Sequence, residues 1–112
     1  MTYQPDDTHI IIFLEHAKKL ILEGKYDFVP RRKNMQSLAQ YGLTITNAKN
    51  EILDLVVRDY YKGPEQDHDI TKPGEVWIFK KNIENNQFYI KLKIVEECGM
   101  DILKCISFHV DD

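Results

Sequence analysis

The sequence predicts an α+β fold, with N-terminal helices packed on one face of a small antiparallel sheet. Three observations carry that expectation. Phe88, Ile90, Leu92 and Ile94 alternate with Tyr89, Lys91 and Lys93, the period of two of a half-buried strand. Ile10, Phe13, Leu14, Ala17 and Ile21 recur instead at helical spacing. Turn signals at Asn85-Asn86 and at Gly99 then divide residues 77–109 into three strands joined by hairpins.

The chain of 112 residues is expected to form one domain, residues 1–112. Residues 1–7 read as a flexible leader and residues 8–57 as the helical part. Thr8 is the expected cap of the first helix, Gly24 its stop, and Lys18, Lys19 and Lys25 suit the negative end of its dipole. Tyr26 to Pro30 is an edge strand or no strand, because proline removes a ladder donor. Asn34 to Tyr41 forms a second helix closed by Gly42. Thr46 is expected to cap a third, which turns Ala48, Ile52 and Leu55 to the sheet. The triplet Arg31-Arg32-Lys33 reads first as a solvated helix entry and second as a phosphate contact. Residues 58–75 show no periodicity, and Gly63-Pro64 and Pro73-Gly74 bracket an acidic loop. Residues 76–109 supply the sheet.

The two turns set a trial register. With Asn85-Asn86 at the tip, Ile83 meets Phe88, Phe79 meets Leu92, and Trp77 meets Ile94. The opposite face then pairs Asn82 with Tyr89, Lys80 with Lys91, and Ile78 with Lys93. A hairpin centred on Gly99 brings Tyr89 to His109, Lys91 to Ser107, and Lys93 to Cys105. Lys80 opposite Lys91 would be unfavourable without an anion between them.

Net charge is −3, so the chain as a whole does not advertise a nucleic-acid binder. The acidity is concentrated late. Residues 94–112 hold one lysine against Glu96, Glu97, Asp101, Asp111 and Asp112, which leaves lysines of the middle strands unopposed. No apolar run approaches the ~18 residues of a membrane span. Asp6 and Asp7 before Ile10 have the wrong sign for a secretory signal. Two cysteines without CxxC spacing point to reduced thiols and a cytoplasmic location, with no zinc site and no disulfide framework.

YYKG, PGEVWIF, FYIKLKI and CISFH, in this order and spacing, resemble the MqsR-type toxin family over about Tyr41 to His109. That resemblance implies a RelE-like fold and a bacterial endoribonuclease of a toxin–antitoxin system. Its partners would be mRNA, met free or on the ribosome, and an antitoxin protein, with no membrane and no cofactor. The family keeps a lysine after an aromatic pair, here Lys62, and a tyrosine opening a Tyr-φ-Lys strand, here Tyr89 with Lys91. Its last strand ends Ser-Phe-basic, here Ser107, Phe108 and His109. Lysine can stand at the last position in the family, and a glutamine can follow the tryptophan where this chain has Ile78. The expected catalytic residues are thus Lys62, Tyr89, Lys91 and His109. The expected RNA contacts are Arg58, Tyr61, Lys80, Lys93 and Ser107.

The residue chemistry agrees. Metal-independent RNA cleavage takes a proton from the 2′-hydroxyl, stabilises charge on phosphorus, and protonates the leaving 5′-oxygen. Histidine titrates near neutrality, and lysines supply fixed positive charge. Each residue also has an ordinary role to set against this one. Tyr89 can be cross-strand packing, His109 a strand end, Lys62 a loop cation, and Lys91 with Lys93 a polar sheet face. Trp77 belongs to the core before it belongs to a stacked base. The alternatives to a ribonuclease are a non-catalytic RNA- or protein-binding module on this fold, and a structural or regulatory domain that pairs through a sheet edge.

Overall fold

The computed structural model describes residues 6–69, 71, 72 and 74–111. Helix α1 spans Asp7–Leu22, β1 Tyr26–Phe28, α2 Arg32–Gln40 and α3 Ile45–Leu53. A 3₁₀ turn, Val57–Asp59, leads into β2, Tyr60–Gln66. The remaining strands are β3 Glu75–Ile83, β4 Asn86–Glu97 and β5 Met100–Val110. They form one five-stranded sheet in the order β1-β5-β4-β3-β2, with β1 parallel to β5 and the other neighbours antiparallel. The α+β architecture read from the sequence is the observed one. Among the described residues no helix is long and apolar enough to cross a membrane.

Several boundaries move, each for a local reason. Residues 1–5 of the expected leader lie outside the described residues. Asp6, not Thr8, caps α1 by accepting from the His9 N–H at 3.1 Å. Thr44, not Thr46, caps α3 in a reciprocal box with Asn47. The expected loop 58–75 gives up Tyr60–Gln66 to β2, which pairs with β3 despite Gly63-Pro64. The strand does so irregularly, through two register shifts. Gly63 is needed there: its φ is +117°, and a Cβ would stand 2.7 Å from the Val76 carbonyl oxygen.

The core lies between the helices and one face of the sheet. Phe79, Phe88, Ile90, Leu92, Leu103 and Phe108 meet Phe13, Leu14 and Ala17 of α1 and Ile52 of α3. Trp77 stacks on Phe13 at 4.6 Å, so it is core, as its apolar neighbours imply. Lys81, which shares this face, reaches Glu51 of α3 at 3.4 Å.

Helix α2 covers the end of β5 that β1 leaves open. Asn34, fully buried, donates to the carbonyls of Val29 and Ile106 at 2.9 and 3.0 Å. Its oxygen accepts from the Phe108 N–H at 2.9 Å, and Ser37 Oγ accepts from the Val110 N–H at 3.1 Å. A helix thereby satisfies edge groups that would otherwise seek another strand. Asn34→Ala should cost about 2–3 kcal/mol, since it orphans the buried Phe108 N–H and takes one donor from each of two carbonyls. The check is a urea titration. A loss under about 0.5 kcal/mol would mean that water replaces the amide.

Candidate active site on the open sheet face

The face away from the helices carries the site. Alternation along β4 sends Phe88, Ile90 and Leu92 into the core and Tyr89, Lys91 and Lys93 outward. The hairpin tip, however, is Glu84-Asn85, both at positive φ, and not Asn85-Asn86. The β3–β4 register therefore differs from the trial one by two residues. Phe79 meets Ile90, Trp77 meets Leu92, Lys80 meets Tyr89, and Ile78 meets Lys91. A two-residue shift keeps every side chain on its face and changes its partner. The expected Lys80–Lys91 pair thus does not form, and the anion inferred from it loses that support.

On the β5 side, Tyr89 is opposite His109 and Lys91 opposite Ser107, as the trial register had them. Beyond that point a bulge at Ile106 shifts the ladder. Lys93 then meets Lys104, while Cys105 turns into the core, where burial pushes its thiol pKa far up.

Two transverse rows result. The first is Lys80, Tyr89, His109, on β3, β4 and β5. The second is Lys62, Ile78, Lys91, Ser107, on β2 to β5. In the first row the Tyr89 and His109 rings stack at 5.4 Å with 17° between their planes. His109 is 9% exposed, and its Nδ1 lies 2.9 Å from the Val110 carbonyl oxygen. A carbonyl only accepts, so Nδ1 carries the proton of the neutral ring. The Tyr89 hydroxyl pKa is raised, first by burial and then by the charge of Glu65, against the opposing pull of Lys80. Tyr89 is therefore a neutral phenol at neutral pH, a donor and not a base.

The remaining expected residues are placed unequally. Lys80 is bound to Asp111 at 2.8 Å and lies over the exposed Tyr61 ring at 3.8 Å. The Asp111 hydrogen bond, foremost, raises its pKa. Lys62 is exposed and 3.7 Å from Glu65, a weak surface pair that an anion can displace. Arg58 is an exposed residue of the 3₁₀ turn before β2, outside both rows. Ser107 is 2% exposed and accepts from Arg31 Nη1 at 3.1 Å.

Lys93 does not belong to an accessible surface. Only 3% exposed, it pairs with Asp67 at 2.7 Å and donates to the Lys72 carbonyl at 3.2 Å. Asp67, Lys72 and Gly74 thus lie against Lys93 on the lower half of the open face, where Val76 and Ile78 are buried although they are not part of the helix-side core. Sequence reasoning missed Asp67, Asp111 and Glu65 as partners. Their acidity was visible, but Glu65 and Asp67 belong to a stretch read as loop, and Asp111 meets Lys80 only across the sheet. Among the described residues no three His, Cys, Asp or Glu side chains gather into a metal-holding group.

No curated protein matches the chain closely enough to serve as a relative. One family model does match, described as motility quorum-sensing regulator, toxin of MqsA, and it spans residues 11–110. Since that match takes in both rows of the open face, most of α1 and all of α2 and α3, the chain belongs to the MqsR toxin family, the toxins of a toxin–antitoxin system.

Proposed function

We propose that the chain is a metal-independent endoribonuclease that cleaves mRNA by attack of the RNA's own 2′-hydroxyl, and so arrests translation and growth until an antitoxin binds it. The observation that carries the reading is the Tyr89–His109 stack, with Lys91 in the adjacent row. It sets a titratable group, a neutral donor and a fixed cation on one face. His109 Nε2 protonates the leaving 5′-oxygen, Tyr89 donates to a phosphate oxygen, and Lys91 with Lys62 balances the charge that builds on phosphorus. RelE-like toxins are the fold relatives this reading implies, and the cytoplasm, where mRNA is met free or on the ribosome, is its setting.

The test uses purified chain and a single-stranded RNA. Cleavage should persist in EDTA and yield 2′,3′-cyclic phosphate ends. Activity lost in EDTA and restored by Mg²⁺, or 3′-hydroxyl products, would overturn the mechanism. One observation favours a second reading, a non-catalytic RNA-binding module. Ile78, 2% exposed, fills the place between Lys62 and Lys91 where the family can carry glutamine. RNA bound but left intact over hours would select it.

A further inference from the structure

We infer that Arg31 holds a second RNA phosphate, the neighbour of the one that is cleaved; this rests on the ribonuclease reading above. The cations of the open face differ in what they already hold. Lys62, Lys80 and Lys93 face Glu65, Asp111 and Asp67, and Lys104 faces both Asp27 and Glu97. Among the described residues, Lys91 and Arg31 have no carboxylate within ion-pair distance. In a chain of net charge −3, two adjacent uncompensated cations mark where an anion is met.

The fold builds this position deliberately. Val29 closes the β1 ladder on the Cys105 carbonyl, and the chain then turns through Pro30 into α2. Arg31 is the N-cap of α2 yet makes no side-chain cap bond, so its side chain is free to cross to β5. There Nη1 donates to Ser107 Oγ at 3.1 Å and to the Ile106 carbonyl at 3.4 Å. Both acceptors exist because β5 bulges at Ile106. Both are neutral, so they orient the guanidinium without cancelling it.

One nitrogen of the fork is used and the other N–H groups remain, in the planar geometry that phosphate oxygens accept. Ser107 is opposite Lys91 and two residues from His109, about 6.6 Å along the strand. An anchored arginine there lies about one nucleotide step from the catalytic row. Because it is held before RNA arrives, little rotamer freedom is lost on binding.

The experiment measures binding of the full chain to a single-stranded RNA with 2′-O-methyl groups throughout, which 2′-attack cannot cleave. Affinity is followed against NaCl concentration, with cleavage of unmodified RNA in parallel. Arg31→Gln should bind about tenfold more weakly and lose about 0.7 from the log–log salt slope, the share of one phosphate contact on a single strand. Arg31→Lys should restore the slope and only part of the affinity. Ser107→Ala should weaken binding less than Arg31→Gln, and the double variant should be no weaker than Arg31→Gln alone.

A wild-type slope and affinity in Arg31→Gln would overturn the inference, while cleavage by the wild type leaves the ribonuclease reading standing. An Arg31-dependent slope without cleavage would support the subsite and sink the catalytic reading. A wild type that binds no RNA overturns both.

Discussion

Replacing His109 with alanine should lower RNA cleavage by about 10²–10⁴-fold, the range of one positioned proton transfer. Expression of the wild type should arrest growth, and expression of His109→Ala should not. Three independent constraints act on this ring. The β4–β5 ladder puts it opposite Tyr89, stacking sets its plane, and the Val110 carbonyl assigns the proton to Nδ1. In the ribonuclease reading Nε2 is the nitrogen that exchanges a proton with the substrate. His109→Lys separates acid from bystander, because lysine keeps its proton to a pKa of about 10.4 against about 6.5 for histidine. That variant should retain some activity, with the basic limb of its pH–rate profile moved upward. Tyr89→Phe makes the complementary case. Its hydroxyl pKa is raised, so the phenol stays neutral through the working range, and its loss should lower the rate without moving either limb. If His109→Lys and wild type give superimposable profiles, the proton donor is another group.

How much of this was legible in the sequence depends on which physical rule each residue obeys. The faces of β4 were legible, because a period of two survives any even shift in register. The register itself was not. Glu84-Asn85 and Asn85-Asn86 can both supply a two-residue turn, and an apolar pattern cannot choose between ladders two residues apart. The bulge at Ile106 was hidden for the opposite reason: it breaks the alternation, so that Cys105 and Phe108 both point into the core. Strand β2 was hidden by Gly63-Pro64, which reads as a breaker and is tolerated because β2 is an edge strand. Arg31 joins the open face only through the β1–β5 pairing and the turn into α2, contacts 75 and 76 residues apart in sequence. No local pattern announces such a residue. Lys93 shows the converse. Its alternation with Lys91 was real, but alternation assigns a face and not exposure, and Asp67, Lys72 and Gly74 lie against this lysine.

That cover makes the second large effect. Asp67→Asn should destabilise the fold by about 3–5 kcal/mol, because it leaves the Lys93 ammonium buried without its anion. Lys93→Met should cost far less, under about 1 kcal/mol, since it removes the buried charge while keeping the apolar stem. Asp67, nearer the surface, is then left to water. The double variant should consequently be more stable than Asp67→Asn alone, which no simple loss of a contact would produce. The pH dependence has a definite sign. The Lys93 hydrogen bond, foremost, holds the Asp67 pKa below the usual carboxylate range. Its contribution is therefore complete above the unfolded value of about 3.9 and is lost as pH falls through the lower folded one. Urea titrations at pH 7 and pH 5 should show the same gap between wild type and Asp67→Asn, and the gap should close only in stronger acid. The same variants decide whether Lys93 touches RNA. As a latch for Asp67 and Lys72 it contributes nothing to counterion release, so Lys93→Met should keep the wild-type salt slope. A slope lower by about 0.7 would return Lys93 to the RNA surface and remove the latch.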